Sequence, residues 1–444
     1  MHESAERITS IRINPQKNVS RFSFLVNDHS LQNLPETSNG KQETRDEQIP
    51  WCPHGFYLSE RPQFTLDPLL HAGAYYVQEA SSMLLWQVLK QTVGNNKNCK
   101  VLDLCAAPGG KSTLLASYFK DGFIVSNEVI KQRVSVLYEN TSKWGTANLV
   151  ITNNDAKDFA RLENYFDVIL VDAPCSGSGL FRKDEEAVKE WSVDNVNLCS
   201  RRQQRIIADA LPALKQDGVL IYSTCSYSKQ EDEDVLDWLM ENFQLETVDM
   251  DFPGEWQTEK CASEKCKAVG FRCWPNKLKG EGFFIAAFKK KDGGETNQRM
   301  PSFEKPAQKK LPIINNWINN NGNNFFMHKE DVHIAPSNFI NDIALLQKNL
   351  YVKKAGINCG TFKGNDFIPH HELALSTLLQ EKIQRIDFSK EDALAYLRKN
   401  DLPQIPAGKG WALASYNNLG LGWMKILPNR INNYYPVEWR ILKQ

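Results

Sequence analysis

Between Val101 and Lys290 the sequence alternates two kinds of segment, and this alternation restricts the fold more than any other feature. Apolar runs of strand length are "VLDLC" (101–105), "FIVSNEV" (123–129), "NLVITN" (148–153), "FDVILVD" (166–172), "GVLIYSTC" (218–225) and "GFFIAAFKK" (282–290). Between them lie "KSTLLASYF", "KQRVSVLYENTSKWG", "RRQQRIIADALPAL" and "EDEDVLDWLMENF", which read as helices, as does "EASSMLLWQVLKQTV" (79–93) just upstream. Strands this apolar need cover on both faces. The alternation therefore predicts an α/β fold: a parallel sheet with helices on each side. Ligands bind such sheets at the carboxyl ends of the strands, so functional residues are expected there.

The chain has 444 residues, too many for one average core, so two or three domains are expected. Residues 1–69 form an N-terminal approach segment with strand-like "SIRIN" and "RFSFLV", followed by a polar loop or insertion at 31–50. The α/β core takes 70–291, and 292–311 is poor in large apolar residues and reads as a linker. Residues 312–444 form a second globular part, within which "INNWINNNGNNFF" reads as an Asn-rich surface loop. Charge follows the same division. Lys plus Arg equals Asp plus Glu, 53 each, yet residues 301–444 hold 18 basic and 12 acidic residues, a net of +6, so residues 1–300 carry −6. A basic end beside an acidic body suits a polyanionic partner, and it equally fits scattered surface charge. The sequence contains neither a long apolar span nor an apolar signal core at "MHESAERITS". The ten cysteines show no disulfide-like framework, which points to a reducing cytoplasm.

Four strand ends suggest a cofactor site. "VLDLCAAPGGKST" is a strand, a turn of small residues and a helix start. Ala106, Ala107, Gly109 and Gly110 allow close approach to the backbone, and the helix beginning near Lys111 offers free N–H groups. The phosphate-loop spacing is absent, and Pro108 removes a donor, so a nucleoside ligand with a carboxylate, such as S-adenosylmethionine, fits better. Glu128 ends the next strand and suits ribose hydroxyls; Asp155 ends the third and suits an adenine amine; Asp172 ends the fourth. Any one of them could be a solvated loop acid, but the series favours a site.

Two strand ends carry thiols, Cys175 just beyond Asp172 and Cys225 beyond a later strand. Buried structural cysteine, a zinc ligand and a catalytic nucleophile are the three readings. The turns offer no other metal ligands, and their position beyond the strands favours chemistry. The trio Cys261, Cys266 and Cys273 lacks an obvious fourth ligand, so no metal is expected; His370 and His371 read as surface residues.

"DLCAAPGGK", "DAPCSGSG" and "YSTCSY", in this order and spacing, resemble the Sun-type RNA (cytosine-C5)-methyltransferase family over about residues 70–290. "SIRINP", "WCPHGFYL", "YYVQEASSM", "LKGEGFF" and "NLGLGWMKILPNRINNYYP" extend the resemblance towards its bacterial branch acting on small-subunit ribosomal RNA. The resemblance implies a Rossmann-like class I methyltransferase core and a PUA-like C-terminal RNA-binding region. It implies S-adenosylmethionine as cofactor, held by Cys105, Ala106, Ala107, Pro108, Gly109, Gly110, Lys111, Glu128, Asp155 and Asp172. It makes Cys225 the nucleophile and Cys175 the residue assisting breakdown of the covalent intermediate, with Asp172 and Lys111 beside them in the catalytic set. The same core also serves tRNA enzymes, and a catalytically silent assembly factor could keep the fold. The family carries a helical segment ahead of Arg-x-Asn, whereas Arg12 and Asn14 stand almost at the start of this sequence, which leaves N-terminal RNA contacts open. The tail from Leu402 combines five basic residues and one acid with Trp411, Tyr416, Trp423, Tyr434, Tyr435 and Trp439, a mixture suited to RNA backbone and base contact and equally to a small aromatic core.

Overall fold

A computed structural model describes residues 8–17, 47–182, 188–189, 191–294, 298–402 and 408–443. The expected strand "RFSFLV" lies outside them, as does most of the polar stretch 31–50.

The chain opens on a small sheet. Strands β1 (Thr9–Ile13), β2 (Glu47–Gln48), β3 (Gly55–Leu58) and β4 (Tyr75–Val77) pair antiparallel in the order β2-β3-β1-β4. The sheet thus runs past residue 69, where the first segment was expected to end. A motif that could have met RNA is turned inward. Arg12 is fully buried and donates through Nε to Gln78 Oε1 at 2.9 Å and through Nη2 to Thr113 Oγ1 at 2.5 Å and Gly110 O at 3.2 Å. Asn14 Nδ2 donates to Gly73 O and Trp144 O. Arg12 and Asn14 therefore fasten the small sheet to the core.

Helix α1 (Leu85–Thr92) leads into the central sheet, whose parallel strands are β5 (Lys100–Asp103), β6 (Phe123–Asn127), β7 (Leu149–Thr152), β8 (Phe166–Asp172) and β9 (Leu214–Thr224). The helices are α2 (Gly110–Tyr118), α3 (Lys131–Trp144), α4 (Val193–Ala210) and α5 (Glu233–Asn242). Alternate residues of each strand enter different cores: Val101, Ile124, Val168 and Ile221 pack on one face, Leu102, Val125, Ile169 and Leu220 on the other. That is the period-two consequence of covering an apolar sheet twice. The sheet is not wholly parallel. Strands β10 (Leu245–Thr247), β11 (Glu259–Ala262), β12 (Val269–Cys273) and β13 (Phe283–Lys290) add antiparallel beyond β9. A run as apolar as "GFFIAAFKK" records burial, not direction.

The C-terminal part is not detached. Strands β14 (Asn323–His328) and β15 (Asp331–Pro336), helix α6 (Ile340–Asn349) and strands β16 (Val352–Ala355), β17 (Ile357–Lys363) and β18 (Asp366–Pro369) follow the linker. Of these, β16 joins β7 antiparallel and becomes the far edge of the central sheet, giving the order β11-β12-β13-β9-β8-β5-β6-β7-β16. The expected Asn-rich loop is corrected: its start is the end of a short helix and its end the start of β14, and the irregular stretch between is anchored by buried Ile314 and Ile318 and by Trp317, which packs edge-on against Trp423. The histidines expected at the surface are also corrected. Helix α7 (His371–Leu375) is capped by His370 Nδ1, which accepts from Glu372 N, and His371 is buried between the rings of Tyr435 and Trp439. Glu372 is buried and receives Tyr138 Oη of α3 and Lys354 Nζ of β16, so three elements converge on one carboxylate. Burial opposes the charge of Glu372 and is the largest single effect, but Lys354, His370 and the Tyr138 hydroxyl together outweigh it and hold the carboxyl down at about 2. Removing one partner of such a pair costs about 3–5 kcal/mol.

A last sheet, β19 (Arg385–Asp387), β20 (Gly410–Tyr416), β21 (Leu419–Leu427) and β22 (Arg430–Asn433), packs with helix α8 (Lys390–Arg398). It divides the tail aromatics by function. Trp423 and Tyr435 are core, while Tyr434 is exposed and packs on Trp411, with Lys425 Nζ 5.4 Å from the Trp411 ring centre. Among the described residues no helix is long and apolar enough to cross a membrane, and no group of three metal-ligating side chains occurs.

Candidate active site

The carboxyl ends of β5, β6, β7, β8 and β9 surround two adjoining cavities. The first, about 390 Å³, is bounded by Gln78, Glu79, Asp103, Lys111 and Phe283. The second, about 530 Å³, is bounded by Glu128, Asp155, Cys175, Arg202 and Arg205. Cys105, Ala107, Asp172, Ala173 and Cys225 line both, so the cavities meet there.

The turn after β5 has the conformation its small residues allow. Gly109 has φ +112°, which L side chains rarely adopt, and it caps α2. Cys105, Ala106, Ala107, Pro108, Gly110 and Lys111 line the cavities, whereas Gly109 lines neither; it faces Leu137 and Thr141 of α3. Gly109 therefore shapes the turn from behind.

The acids on this side are only partly satisfied. Glu128 is buried; its Oε1 accepts from Ile130 N at 2.9 Å, while Oε2 has no hydrogen bond and sees Arg133 Nη1 only at 3.3 Å. Asp155 accepts from Lys157 N at 3.3 Å at the rim of the second cavity. Asp103, which the sequence reading did not single out, is fully buried. Its Oδ2 accepts from Ser112 Oγ at 2.6 Å and its Oδ1 has no partner. Burial pushes the Asp103 carboxyl up to about 7, only partly offset by the Ser112 bond. The available signal was its place as the last residue of a strand, immediately before the small-residue turn.

The β8 and β9 side is densely tied. Asp172 Oδ1 accepts from Ser223 Oγ at 2.8 Å and Oδ2 pairs with Lys111 Nζ at 2.8 Å. Burial works against the Lys111 charge, but Asp172 more than offsets it and the ammonium is held above its ordinary range, with Cys225 adding in the same direction. Cys175 Sγ and Cys225 Sγ lie 2.9 Å apart, although 50 residues separate them. Their turns touch through Gly179, whose N–H donates to Cys225 O at 2.6 Å; a Cβ there would lie 2.2 Å from that oxygen. The Cys175 thiol is pushed well up, first by its bond to Cys225 and then by burial.

The comparisons agree with this architecture. Residues 90–289 match the family model for 16S rRNA methyltransferase RsmB/F, residues 384–441 that for the methyltransferase RsmF PUA domain, and residues 2–80 that for the N-terminal domain of 16S rRNA methyltransferase RsmF. A ribosomal RNA small subunit methyltransferase F from Shewanella woodyi is 31% identical over 414 residues, covering 88% of this chain and 84% of its own. The protein of the same name from Psychromonas ingrahamii is 33% identical over 416 residues, with 88% and 84% covered. Among solved structures, a methyltransferase homologue from Pyrococcus horikoshii superposes with a TM-score of 0.52 at 29% identity, covering 65% of this chain and 88% of that one. Matched along its length and through all three family segments, the chain belongs to the ribosomal RNA small subunit methyltransferase F family and is an RNA methyltransferase.

Proposed function

We propose that this enzyme methylates carbon 5 of a cytosine in small-subunit ribosomal RNA, through a covalent bond between Cys225 and carbon 6, with S-adenosylmethionine as methyl donor. The observation that carries the reading is the pair of thiols, 2.9 Å apart where the two cavities join.

The donor set fits the cofactor. Glu128, with an oxygen left over, suits a ribose diol, and Asp155 at the rim suits an adenine amine. The unpartnered, buried Asp103 Oδ1 suits an ammonium group, since a buried carboxylate oxygen without a donor is costly unless a ligand supplies one. When bound, S-adenosylmethionine supplies an electrophilic methyl group.

The chain's own residues supply the rest. The target base leaves its stack to reach the cavity. The Cys225 thiolate adds to C6; the C5–C6 π electrons move towards C5, which becomes nucleophilic. Asp172, held by Ser223 and Lys111, serves the N3/N4 edge. After C5 has taken the methyl group, its proton passes to the Cys175 sulfur, the C5–C6 double bond returns and the bond from C6 to Cys225 breaks. The strongest cause holding Cys175 protonated is its contact with Cys225. That cause vanishes once the Cys225 sulfur is bound to carbon, so Cys175 releases its own proton to water more readily and stands as a thiolate to take the one from C5. Exposed Tyr434, packed on half-buried Trp411 with Lys425 beside it, offers an aromatic and cationic face for RNA at a distance from the chemistry.

The test is bisulfite sequencing of total RNA from a strain lacking the gene, with and without the gene restored. A small-subunit ribosomal cytosine that loses and regains protection is expected. Loss confined to tRNA would overturn the substrate assignment.

A further inference from the structure

One carboxylate joins the two thiol turns and takes no part in the chemistry above. Glu231 is fully buried in the short turn Lys229–Glu231 after β9. Its Oε1 accepts from Ser176 N at 2.8 Å and Gln203 Nε2 at 3.1 Å; its Oε2 accepts from Ser176 Oγ at 2.5 Å and Ser226 Oγ at 2.6 Å. Ser176 follows Cys175 and Ser226 follows Cys225. Gln203 of α4 also donates to Pro174 O, on the other side of Cys175, at 3.1 Å. Among the described residues no cation pairs with Glu231, so its desolvation is offset by these four donors alone.

We propose that Glu231 is a positioning residue for methyl transfer: it clamps the turns of Cys175 and Cys225 into one register, so that both sulfurs address the same base. The clamp matters unequally to the two turns. The Cys225 turn is held in other ways, since β9 lies between β8 and β13, Thr224 Oγ1 donates to Asp232 Oδ1 at 2.6 Å, and Ser226 N donates to Thr224 Oγ1 at 3.1 Å. The Cys175 turn has left the sheet and is held by the bonds of Ser176 to Glu231, by Pro174 O, by the Gly179 contact and by Ser178 Oγ, which accepts from Tyr227 N at 2.8 Å. Loss of Glu231 frees Cys175 first. The kinetic consequence, stalled release after normal addition, rests on the roles proposed above for the two thiols; the geometric consequence does not.

The thiols themselves provide the ruler. Diamide, an azo oxidant, takes two electrons and two protons from a thiol pair, becoming a hydrazine and leaving a disulfide. Peptide mass spectrometry then follows the Cys175–Cys225 cross-link. Glu231→Leu keeps most of the volume and removes every acceptor; its cross-linking is expected to slow by about tenfold or more, since rate follows effective concentration. Glu231→Gln is expected to stay within about threefold of the parent, because each serine hydroxyl can turn to accept from the amide. Circular dichroism checks folding. Should Glu231→Leu not fold, Ser176→Ala with Ser226→Ala removes one hydroxyl bond from each turn and is expected to slow cross-linking by about threefold or more. A folded Glu231→Leu, or the folded serine pair, that cross-links at the parent rate overturns the proposal. In turnover, Glu231→Leu should build up a Cys225-dependent RNA adduct with unchanged cofactor affinity. If cross-linking slows while neither Glu231→Leu nor Cys175→Ala traps RNA, the clamp stands and the catalytic role given to Cys175 fails.

Discussion

The two halves of the central sheet are finished differently. On the side of β5, β6 and β7, buried acids keep oxygens unused: Asp103 Oδ1 has no partner and Glu128 Oε2 no hydrogen bond. On the side of β8 and β9, Asp172 is held by Ser223 and Lys111, Thr224 by Asp232, and both thiol turns by Glu231. Asp232 in turn meets Arg272 Nη1 at 2.6 Å. The difference teaches how binding and chemistry place opposite demands on one sheet. A half that receives a polar ligand leaves acceptors to be completed by it. A half that makes and breaks bonds holds its groups in place beforehand, so that little reorganisation is left for the reaction.

The largest test of that division is Cys225→Ala. It should lower methyl transfer by about four orders of magnitude or more while cofactor affinity, measured by calorimetry, stays within about twofold. Comparable losses of both would merge the two halves. Cys175→Ala should be milder in addition and severe in release. A denaturing gel should show a protein–RNA adduct, absent in the double variant with Cys225→Ala, and turnover lower by about 10²-fold. An adduct that persists in the double variant would mean that neither thiol forms it and would break this division of labour.

On the binding half, Asp103→Asn should weaken S-adenosylmethionine binding by about 10- to 100-fold, the range for a lost charged hydrogen bond. The pH dependence sharpens the point. Burial raises the Asp103 carboxyl from 3.8 to about 7, so in the free enzyme it is protonated below that pH. A cationic ammonium needs the ionised form. Affinity should therefore rise with pH up to about 7, by at most about tenfold per unit, and level off above. Asp103→Asn should flatten that profile. In the free protein the same shift acts on stability with the opposite sense: the native state binds the proton more tightly than the unfolded one, so this contribution falls as pH rises from about 4 to about 7. The smallest effect is expected far from the sheet. Lys425→Ala should weaken RNA binding by less than about tenfold and lower the log–log salt slope by about one, with cofactor binding unchanged. An unchanged slope would remove Lys425 from the RNA contact.

Much of this was legible in the sequence because periodicity and turn chemistry are local. The runs "VLDLC", "FDVILVD" and "GVLIYSTC" each became a strand of the central sheet, and the small-residue turn at Cys105–Gly110 became the start of α2. Asp172 ends its strand as expected, whereas Glu128 and Asp155, expected to end theirs, stand just beyond β6, which stops at Asn127, and β7, which stops at Thr152. Less legible were His371 and Trp317, polar or isolated by pattern and yet buried and half-buried respectively, because what covers them comes from β21 and the final turn, many residues away. The basic C-terminal part likewise read as separable, yet β16 completes the edge of the catalytic sheet and Asp342 of α6 pairs with Lys100 of β5 at 2.5 Å.

The sequence by itself determined the α/β order, the strand ends at which the site is proposed, and the two thiols with the acids near them, since each depends on neighbours within a few residues. Only the tertiary structure decided that Cys175 and Cys225 meet at 2.9 Å, that Glu231 binds both of their turns, that Arg12 faces the core and not a ligand, and that Asp103 keeps a free oxygen. These depend on which strands become neighbours and which way a side chain is buried. Hydrogen bonds between such distant residues are set by the closing of the whole sheet, and a local pattern carries no record of them.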